Sequence, residues 1–250
     1  MLELIRTSKS YITILVDLDL LGAANQAAPN PLSITRLGLL VLAWVLYFGL
    51  HSLLASLTLK RWVAHRHGWW VRGYRLFFNT VAVLLLVPPL ALTYADPGPW
   101  LWRWCGLGWW VANGLAVMAL LGFVWSLRWY DGEEFLGLRQ WRANLRVAED
   151  QERFRLSPLH RYVRHPWYSL GLVLVWTRDM NLALLVSAVV ITLYFIIGSR
   201  LEERKLLVYH GEVYERYRRR VPGLVPSPRR FLTREEAQRL VAVDLVKRQS

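Results

Sequence analysis

The apolar run MNLALLVSAVVITLYFIIG, residues 180–198, is followed at once by the charged stretch SRLEERK, residues 199–205. A helix needs about 20 apolar residues to cross a bilayer, and this run contains no charged residue. Arginine and glutamate are costly inside hydrocarbon, so the charged stretch is expected to lie at the membrane edge. The pattern predicts a membrane-spanning helix and, with similar runs upstream, an all-α integral membrane bundle.

Three of those upstream runs cover residues 37–59, 76–94 and 106–127. A further apolar run, residues 167–177, is too short to cross alone. Ser157 and Pro158 are typical of a helix start, so we predict a fourth span over 158–177 that bends at Pro166. This span and the last one would form a hairpin, which makes about five transmembrane helices.

The charges favour a membrane protein over a nucleic-acid-binding one. The chain has 31 Lys and Arg against 18 Asp and Glu, yet 54% of its residues are hydrophobic. Its basic residues lie between long apolar runs and not beside a soluble core. The loops 60–75 and 128–164 and the region after 198 are basic, whereas the other two loops are nearly neutral. The positive-inside rule then predicts an inner-membrane protein with its N-terminus outside and its C-terminus cytoplasmic.

Two segments flank the predicted membrane domain, which covers residues 35–226. Residues 1–34 are expected to form an N-terminal extension with an interfacial helix. Residues 227–250 are expected to form a cytoplasmic helix, since Thr233 and Glu236 fit a capping box. No metal site is predicted, because Cys105 is the only cysteine and the sole close histidine pair, His65 and His67, has basic neighbours.

Polar residues with chemical potential gather at the predicted cytoplasmic edge. Arg164 and His165 lie in the first half of the fourth predicted span, and Glu202 and Glu203 follow the last one. A carboxylate held by arginine can accept hydrogen bonds from a ligand hydroxyl or amine. The hairpin would bring these groups together in a pocket. The same residues would equally suit a solvated helix end and a lipid anchor, and spacing alone leaves both readings open.

The motifs resemble a known family. VRHPWYSLG, residues 163–171, followed by EERKLLVYHGEVYERYRRRVPGLVP, residues 202–226, resembles the C-terminal core of the isoprenylcysteine carboxyl methyltransferase superfamily. HSLLAS at 51–56, KRW at 60–62 and FLGLRQ at 135–140 extend the resemblance to the bacterial methanethiol S-methyltransferase and NnrU-type branch. Pro158 and His160 depart from the family's usual Gly-x-Tyr.

The resemblance implies a membrane enzyme that takes S-adenosylmethionine from the cytosol. The implied cofactor-binding residues are Gln140, Arg164, His165, Pro166, Tyr168, Glu202, Glu203, Tyr214 and Tyr217. The other implied catalytic residues are Arg139, Arg200 and Glu203, which would orient the methyl acceptor or take its proton, and His51 in the first span, which would line an acceptor pocket on the lipid side. The expected acceptor is a small thiol such as methanethiol, which arrives from the lipid bilayer.

Other readings stay open at this point. The same scaffold could methylate an isoprenylcysteine-like carboxylate, a phospholipid amine or a fatty acyl group. Relatives of steroid 5-alpha-reductase, which use NADPH, share a similar C-terminal pattern. A non-catalytic NnrU-type protein that supports denitrification is a third class. The sequence does not indicate an oligomeric state.

Overall fold

The computed structural model describes residues 33–142 and 154–247, so the predicted extension over 1–34 lies almost wholly outside the described residues. The helices are α1 (Ile34–Ala55), α2 (Leu57–Arg66), α3 (Val71–Ala95), α4 (Gly106–Ser126), α5 (Gly132–Leu136), α6 (Leu138–Arg142), α7 (Pro166–Trp176), α8 (Leu182–Arg220) and α9 (Arg234–Lys247). Single 3-10 turns cover Gly68–Trp70, Leu127–Trp129 and Pro158–Arg161. Strands β1 (Trp100–Trp102) and β2 (Met180–Asn181) pair antiparallel.

The long helices confirm the predicted all-α membrane bundle. Within the described ranges, four helical segments are long and apolar enough to cross a membrane: Ile34–Ala55, Gly68–Ala95, Gly106–Trp129 and Leu182–Arg220. They match four of the five predicted spans. The remaining predicted span, over 158–177, contains α7, an apolar helix of 11 residues, which is shorter than a crossing requires.

The prediction of one bent helix over 158–177 is wrong. His165 has φ −121° and ψ 73°, which is not helical, so α7 begins at Pro166 instead of bending there. A proline disfavours the helical conformation in the residue before it and is well tolerated at the first helical position. Upstream, Ser157 does start a turn, but that turn is a 3-10 turn of four residues, closed by His160.

The first predicted span also ends earlier than expected. Ser56 is extended, with φ −69° and ψ 143°, and it caps α2 by accepting a hydrogen bond from the Leu59 N–H over 3.3 Å. Its hydroxyl donates to the Leu53 carbonyl at 2.7 Å, which satisfies the end of α1. The KRW motif therefore lies on a separate helix that follows the span.

The membrane core is built on α1, α3 and α8. The Trp44 indole N–H donates to the Ser187 hydroxyl at 2.9 Å, and Thr93 lies 2.9 Å from the same oxygen. These polar atoms are buried, and their mutual hydrogen bonds offset the cost of removing them from water. Two further helices pack together: α7 packs on α4, and the Trp167 indole N–H donates to the Ser126 hydroxyl at 2.9 Å.

Helix α8 connects this bundle to the part of the chain that follows the last apolar run. Its 39 residues correspond to about 58 Å, roughly twice the hydrocarbon thickness, so its second half lies outside the membrane. Gly211 interrupts it with φ 52°, which confirms the predicted helix end. Beyond that break α8 packs on α9, whose capping box between Thr233 and Glu236 is also confirmed.

Candidate functional site

Four polar residues meet where α7 begins beside α8, and we call Arg164, His165, Glu202 and Glu203 the charged cluster. The segment before α7 is held by the chain that follows α8. The Arg164 N–H donates to the Pro222 carbonyl at 2.8 Å, and the His165 N–H donates to the Gly223 carbonyl at 3.1 Å. Because Pro166 fixes the start of the helix, both side chains point back toward the glutamate pair.

Glu203 is the buried carboxylate of the charged cluster, with 8% of its surface exposed. One of its oxygens, Oε1, lies 2.8 Å from Arg164 Nε, 2.7 Å from Arg164 Nη2 and 3.1 Å from His165 Nε2. Burial works to raise the pKa of this carboxyl, but the hydrogen bonds from His165 and Arg164 and their charges outweigh it. The pKa of Glu203 therefore lies below its usual value, and the side chain is ionised.

Glu202 is held differently, and it keeps an open side. Its Oε2 lies 3.4 Å from His165 Nδ1, while 48% of its side chain is exposed, against 10% for Glu203. His165 is 6% exposed and lies between the two carboxylates. Burial works to lower the pKa of His165, but its bonds to Glu202 and Glu203 raise it above the usual value. His165 thus orients Glu202, whose side chain stays half-exposed.

His160, one of the two departures from the family pattern, supports the cluster from below. Its Nδ1 accepts from the Ser157 N–H at 3.2 Å and lies 2.7 Å from the Ser157 hydroxyl, while its backbone carbonyl accepts from the Tyr217 hydroxyl at 2.8 Å. Burial and the nearby charge of His165, opposed by Glu202, lower the pKa of His160 to about 4. Neutral His160 therefore closes the turn that leads into the cluster.

A row of polar and aromatic side chains runs from the charged cluster into the membrane bundle, and we call it the tyrosine row. The His165 and Tyr168 rings lie 5.5 Å apart, and the Tyr168 hydroxyl interacts with the Glu202 carboxylate. Further in, the Tyr194 hydroxyl lies 3.2 Å from the Ser52 hydroxyl. Gly198 lies between both tyrosines, since a Cβ at this position would make ordinary contacts of 3.8 Å to the Tyr168 hydroxyl and 3.9 Å to the Tyr194 ring.

His51 stands at the inner end of the tyrosine row. Its ring lies 6.5 Å from that of Tyr194 and 5.0 Å from that of Phe78. Among the described residues its Nδ1 is buried and has no hydrogen-bond partner. A buried imidazole nitrogen without a partner can hydrogen-bond a small polar ligand, and the role of His51 in an acceptor pocket stays a prediction.

The opposite face of α8 borders a cavity of about 650 Å³, which we call the arginine cavity. Its walls come from α8, from Arg164 and from the segment after α8. The lining residues are Arg164, Ile196, Ser199, Arg200, Glu203, Arg204, Arg218, Gly223, Leu224 and Val225. Glu203 thus separates the arginine cavity from the tyrosine row, and the two surfaces differ in charge.

The structure brings some predicted residues together and places others elsewhere. Arg164, His165, Tyr168, Glu202 and Glu203 meet in one cluster, and Pro166 sets its geometry. Tyr214 and Tyr217 are 1% and 2% exposed and belong to a packed core outside the apolar spans, with Phe154, Val213 and Val221. They support the site from within that core.

The remaining predicted residues lie on the loop helices and on the cavity. Arg139 forms an ion pair with Asp131, and Gln140 is half-buried on α6, which packs against α3. Arg200 lines the arginine cavity. Sequence reasoning missed Tyr194 and Ser52. The spacing of Tyr194, Gly198 and Glu202, each four apart, was a usable signal, because it puts all three on one helix face.

Comparison with known proteins places the chain among curated enzymes. It is 30% identical over 219 residues to methanethiol S-methyltransferase 2 of Bradyrhizobium diazoefficiens, a match that covers 81% of this chain and 80% of that protein. It is 31% identical over 195 residues to methanethiol S-methyltransferase of Mycobacterium tuberculosis, covering 72% and 74%. The protein of that name from Crocosphaera subtropica is 28% identical over 195 residues, covering 70% and 69%. No family model and no solved structure matches the chain.

Proposed function

Because this chain belongs to the methanethiol S-methyltransferase family, within the isoprenylcysteine carboxyl methyltransferase-like proteins, we propose that it transfers a methyl group from S-adenosylmethionine to a small thiol at the cytoplasmic edge of the membrane. The observation that carries the proposal is the open carboxylate of Glu202. It is fixed by His165 and Tyr168 and still exposed over about half of its surface.

The residues present fit such a donor. A carboxylate with free acceptor positions suits the hydroxyl and amino groups of a nucleoside-linked amino acid, and Tyr168 and His165 add further polar contacts. Glu203 is occupied by its contacts with Arg164 and His165, so it positions those side chains. Glu202 is therefore the residue that would contact the donor. When bound, the donor supplies a methyl group already activated on a sulfonium.

The chain's own contribution is to position the acceptor and to receive its proton. The tyrosine row presents hydroxyl groups from Ser52, Tyr168 and Tyr194 between the charged cluster and His51. In the proposed reaction the thiol sulfur would form a bond to the methyl carbon as the methyl–sulfonium bond breaks and S-adenosylhomocysteine leaves, and the thiol proton would pass to the Nδ1 of His51. In-line positioning of this kind supplies most of the rate acceleration when the leaving group is already activated.

The charges on the two faces of α8 favour a donor site on the face that carries the tyrosine row. A sulfonium is a cation, and the arginine cavity presents four guanidinium groups against one carboxylate. Like charges at short range disfavour binding. The Glu202 side offers a half-exposed carboxylate that no arginine pairs with among the described residues, so the proposed donor site is there.

Ligand binding tests the proposal before catalysis does. S-adenosylhomocysteine is expected to raise the melting temperature of the purified protein, since a ligand at 100 times its Kd adds about 2.7 kcal/mol to the free energy of unfolding. The Glu202→Gln variant should fold and lose this shift. Glu212→Gln, which changes an exposed glutamate on the same helix beyond Gly211, should keep it.

Turnover then identifies the acceptor. Purified protein with methanethiol and S-adenosylmethionine carrying a deuterated methyl group should release deuterated dimethyl sulfide, measured by gas chromatography with mass detection. A melting shift with NADPH and none with S-adenosylhomocysteine would overturn the proposal in favour of a reductase. Binding of S-adenosylhomocysteine without formation of dimethyl sulfide would support a methyltransferase and reject methanethiol as its acceptor.

A further inference from the structure

The arginine cavity carries two positive charges that no carboxylate balances. Arg164 pairs with Glu203 at 2.7 Å, and Arg218 pairs with Glu215 at 2.9 Å. Arg200 and Arg204 are exposed and have no acidic partner in the part of the chain that the structure describes. They lie four residues apart on α8, so their side chains leave the helix on one face.

These two arginines lie at the depth of lipid headgroups. The apolar part of α8, residues 182–199, corresponds to about 27 Å, close to the thickness of the hydrocarbon core. The other end of this part is marked by Asn181, which pairs with Trp100 of β1, beside the cluster of tryptophans around 100–110. Arg200 therefore follows the last hydrocarbon-embedded turn, and Arg204 lies about 6 Å further along the axis.

An apolar stripe leads from the arginines back into the bilayer. Leu193 and Ile197 are 53% and 56% exposed, and with Arg200 and Arg204 they follow a spacing of four, three and four residues. That spacing puts all four on one face of the helix. The cavity wall continues the stripe with Ile196 and with Val225, which is 71% exposed.

We propose that the arginine cavity binds an anionic phospholipid, with the phosphate at Arg200 and Arg204 and an acyl chain along Leu193 and Ile197. Guanidinium groups bind phosphate oxygens through paired N–H donors, and the exposed apolar stripe matches an acyl chain in length and direction. The proposed ligand is an amphiphile, because a free phosphate would contact the arginines and leave the apolar stripe without a partner. The site lies on the other face of α8 from the proposed donor site and does not depend on methyl transfer.

Lipid competition in nanodiscs tests this site on the full-length protein without any donor. The protein is placed in nanodiscs of phosphatidylcholine with a minor share of phosphatidylglycerol, and bound lipids are counted by native mass spectrometry. The wild type should retain phosphatidylglycerol in clear excess over its share. Arg200→Gln with Arg204→Gln should reduce this preference about thirtyfold, since each arginine near a lipid surface contributes a factor of about five.

The control removes the same charge elsewhere. Arg229 and Arg234 are exposed on the same cytoplasmic side, so Arg229→Gln with Arg234→Gln should leave the preference unchanged. A cavity variant that retains phosphatidylglycerol like the wild type would overturn the proposal, as would an equal loss in the control variant. Glycerol phosphate at millimolar concentration should not displace the lipid. Displacement would mean that the phosphate group alone accounts for binding, which overturns the role proposed for the apolar stripe.

Discussion

Glu202 and Glu203 are neighbours in the chain but have opposite surroundings. Glu203 is enclosed by Arg164 and His165, and Glu202 faces solvent over about half of its side chain. Spacing alone could not distinguish them, because either residue of an adjacent acidic pair can turn toward the preceding helix. The contacts assign a positioning role to Glu203 and leave Glu202 as the residue that is open to a ligand.

The Glu203→Gln variant should lose stability as well as activity. The neutral side chain leaves the guanidinium of Arg164, 13% exposed, without its carboxylate, and breaking a buried ion pair on one side costs about 3 kcal/mol. Thermal unfolding in one detergent measures the loss. Glu202→Gln is the matched control and should unfold within about 0.5 kcal/mol of the wild type. Equal melting temperatures for both variants would contradict the assignment.

His160 should make stability fall as the pH drops below 6.5. The unfolded imidazole takes up a proton near pH 6.5, whereas the folded one, with its pKa lowered to about 4, stays neutral until much lower pH. Acid therefore favours the unfolded state, by about 2 kcal/mol at pH 4.5. His160→Asn keeps an acceptor near the Nδ1 position and cannot titrate. The melting temperature of this variant should fall less steeply than that of the wild type as the pH decreases. Parallel curves would contradict the lowered pKa of His160.

His165 acts in the opposite direction and limits stability on the alkaline side. Its folded pKa is raised, so the stabilising contacts of the charged form are complete below pH 6.5 and are lost as the pH rises through that folded pKa. The wild type should therefore be most stable near pH 6.5. Melting curves of His165→Gln from pH 6.5 to 9 should lack the alkaline decline, and a decline that matches the wild type would assign it to another group.

At the scale of elements, the sequence predicted helix existence better than helix ends. The apolar runs predicted four spans that the structure confirms, because hydrocarbon demands long uncharged helices whatever their neighbours. The fourth predicted span failed at His165, where a local proline effect and the contacts to Pro222 and Gly223 decide the backbone. Those contacts join residues almost 60 positions apart, and no local pattern signals them.

The FLGLRQ motif contains a glycine that the packing of α5 and α6 on α3 requires. Gly137 has φ +88°, and an added Cβ would lie 2.9 Å from the Leu76 backbone nitrogen and 3.0 Å from Arg75 Cβ. Gly137→Ala should cost about 2–4 kcal/mol through strain and loss of this contact. Gly132→Ala, with open space around it, is the control and should be neutral. Thermal unfolding compares the two, and a stable Gly137→Ala protein would show that the loop can move away.

At the scale of the whole molecule, α8 separates two chemically different surfaces. One face meets α1 and α7 and carries the tyrosine row, where Glu202 is the open carboxylate. The other borders the arginine cavity and faces lipid. Glu203 belongs to both, since it lines the cavity and binds His165. The proposed donor, a cation, and the proposed lipid, an anion, would thus bind on different faces of α8, each beside groups of the opposite charge.

The same architecture, with the predicted inner-membrane location, gives a testable orientation of the protein in the bilayer. Cys105, the only cysteine, is exposed and follows β1 at the end of the bundle opposite the charged cluster. If basic loops are cytoplasmic, Cys105 faces the periplasm. A membrane-impermeant maleimide should label it in cells whose outer membrane alone has been opened. In a Cys105→Ser background, Arg229→Cys should be labelled only after the inner membrane is also opened. The reverse pattern would invert the topology and place the proposed donor site on the periplasmic side, where a cytosolic methyl donor could not reach it.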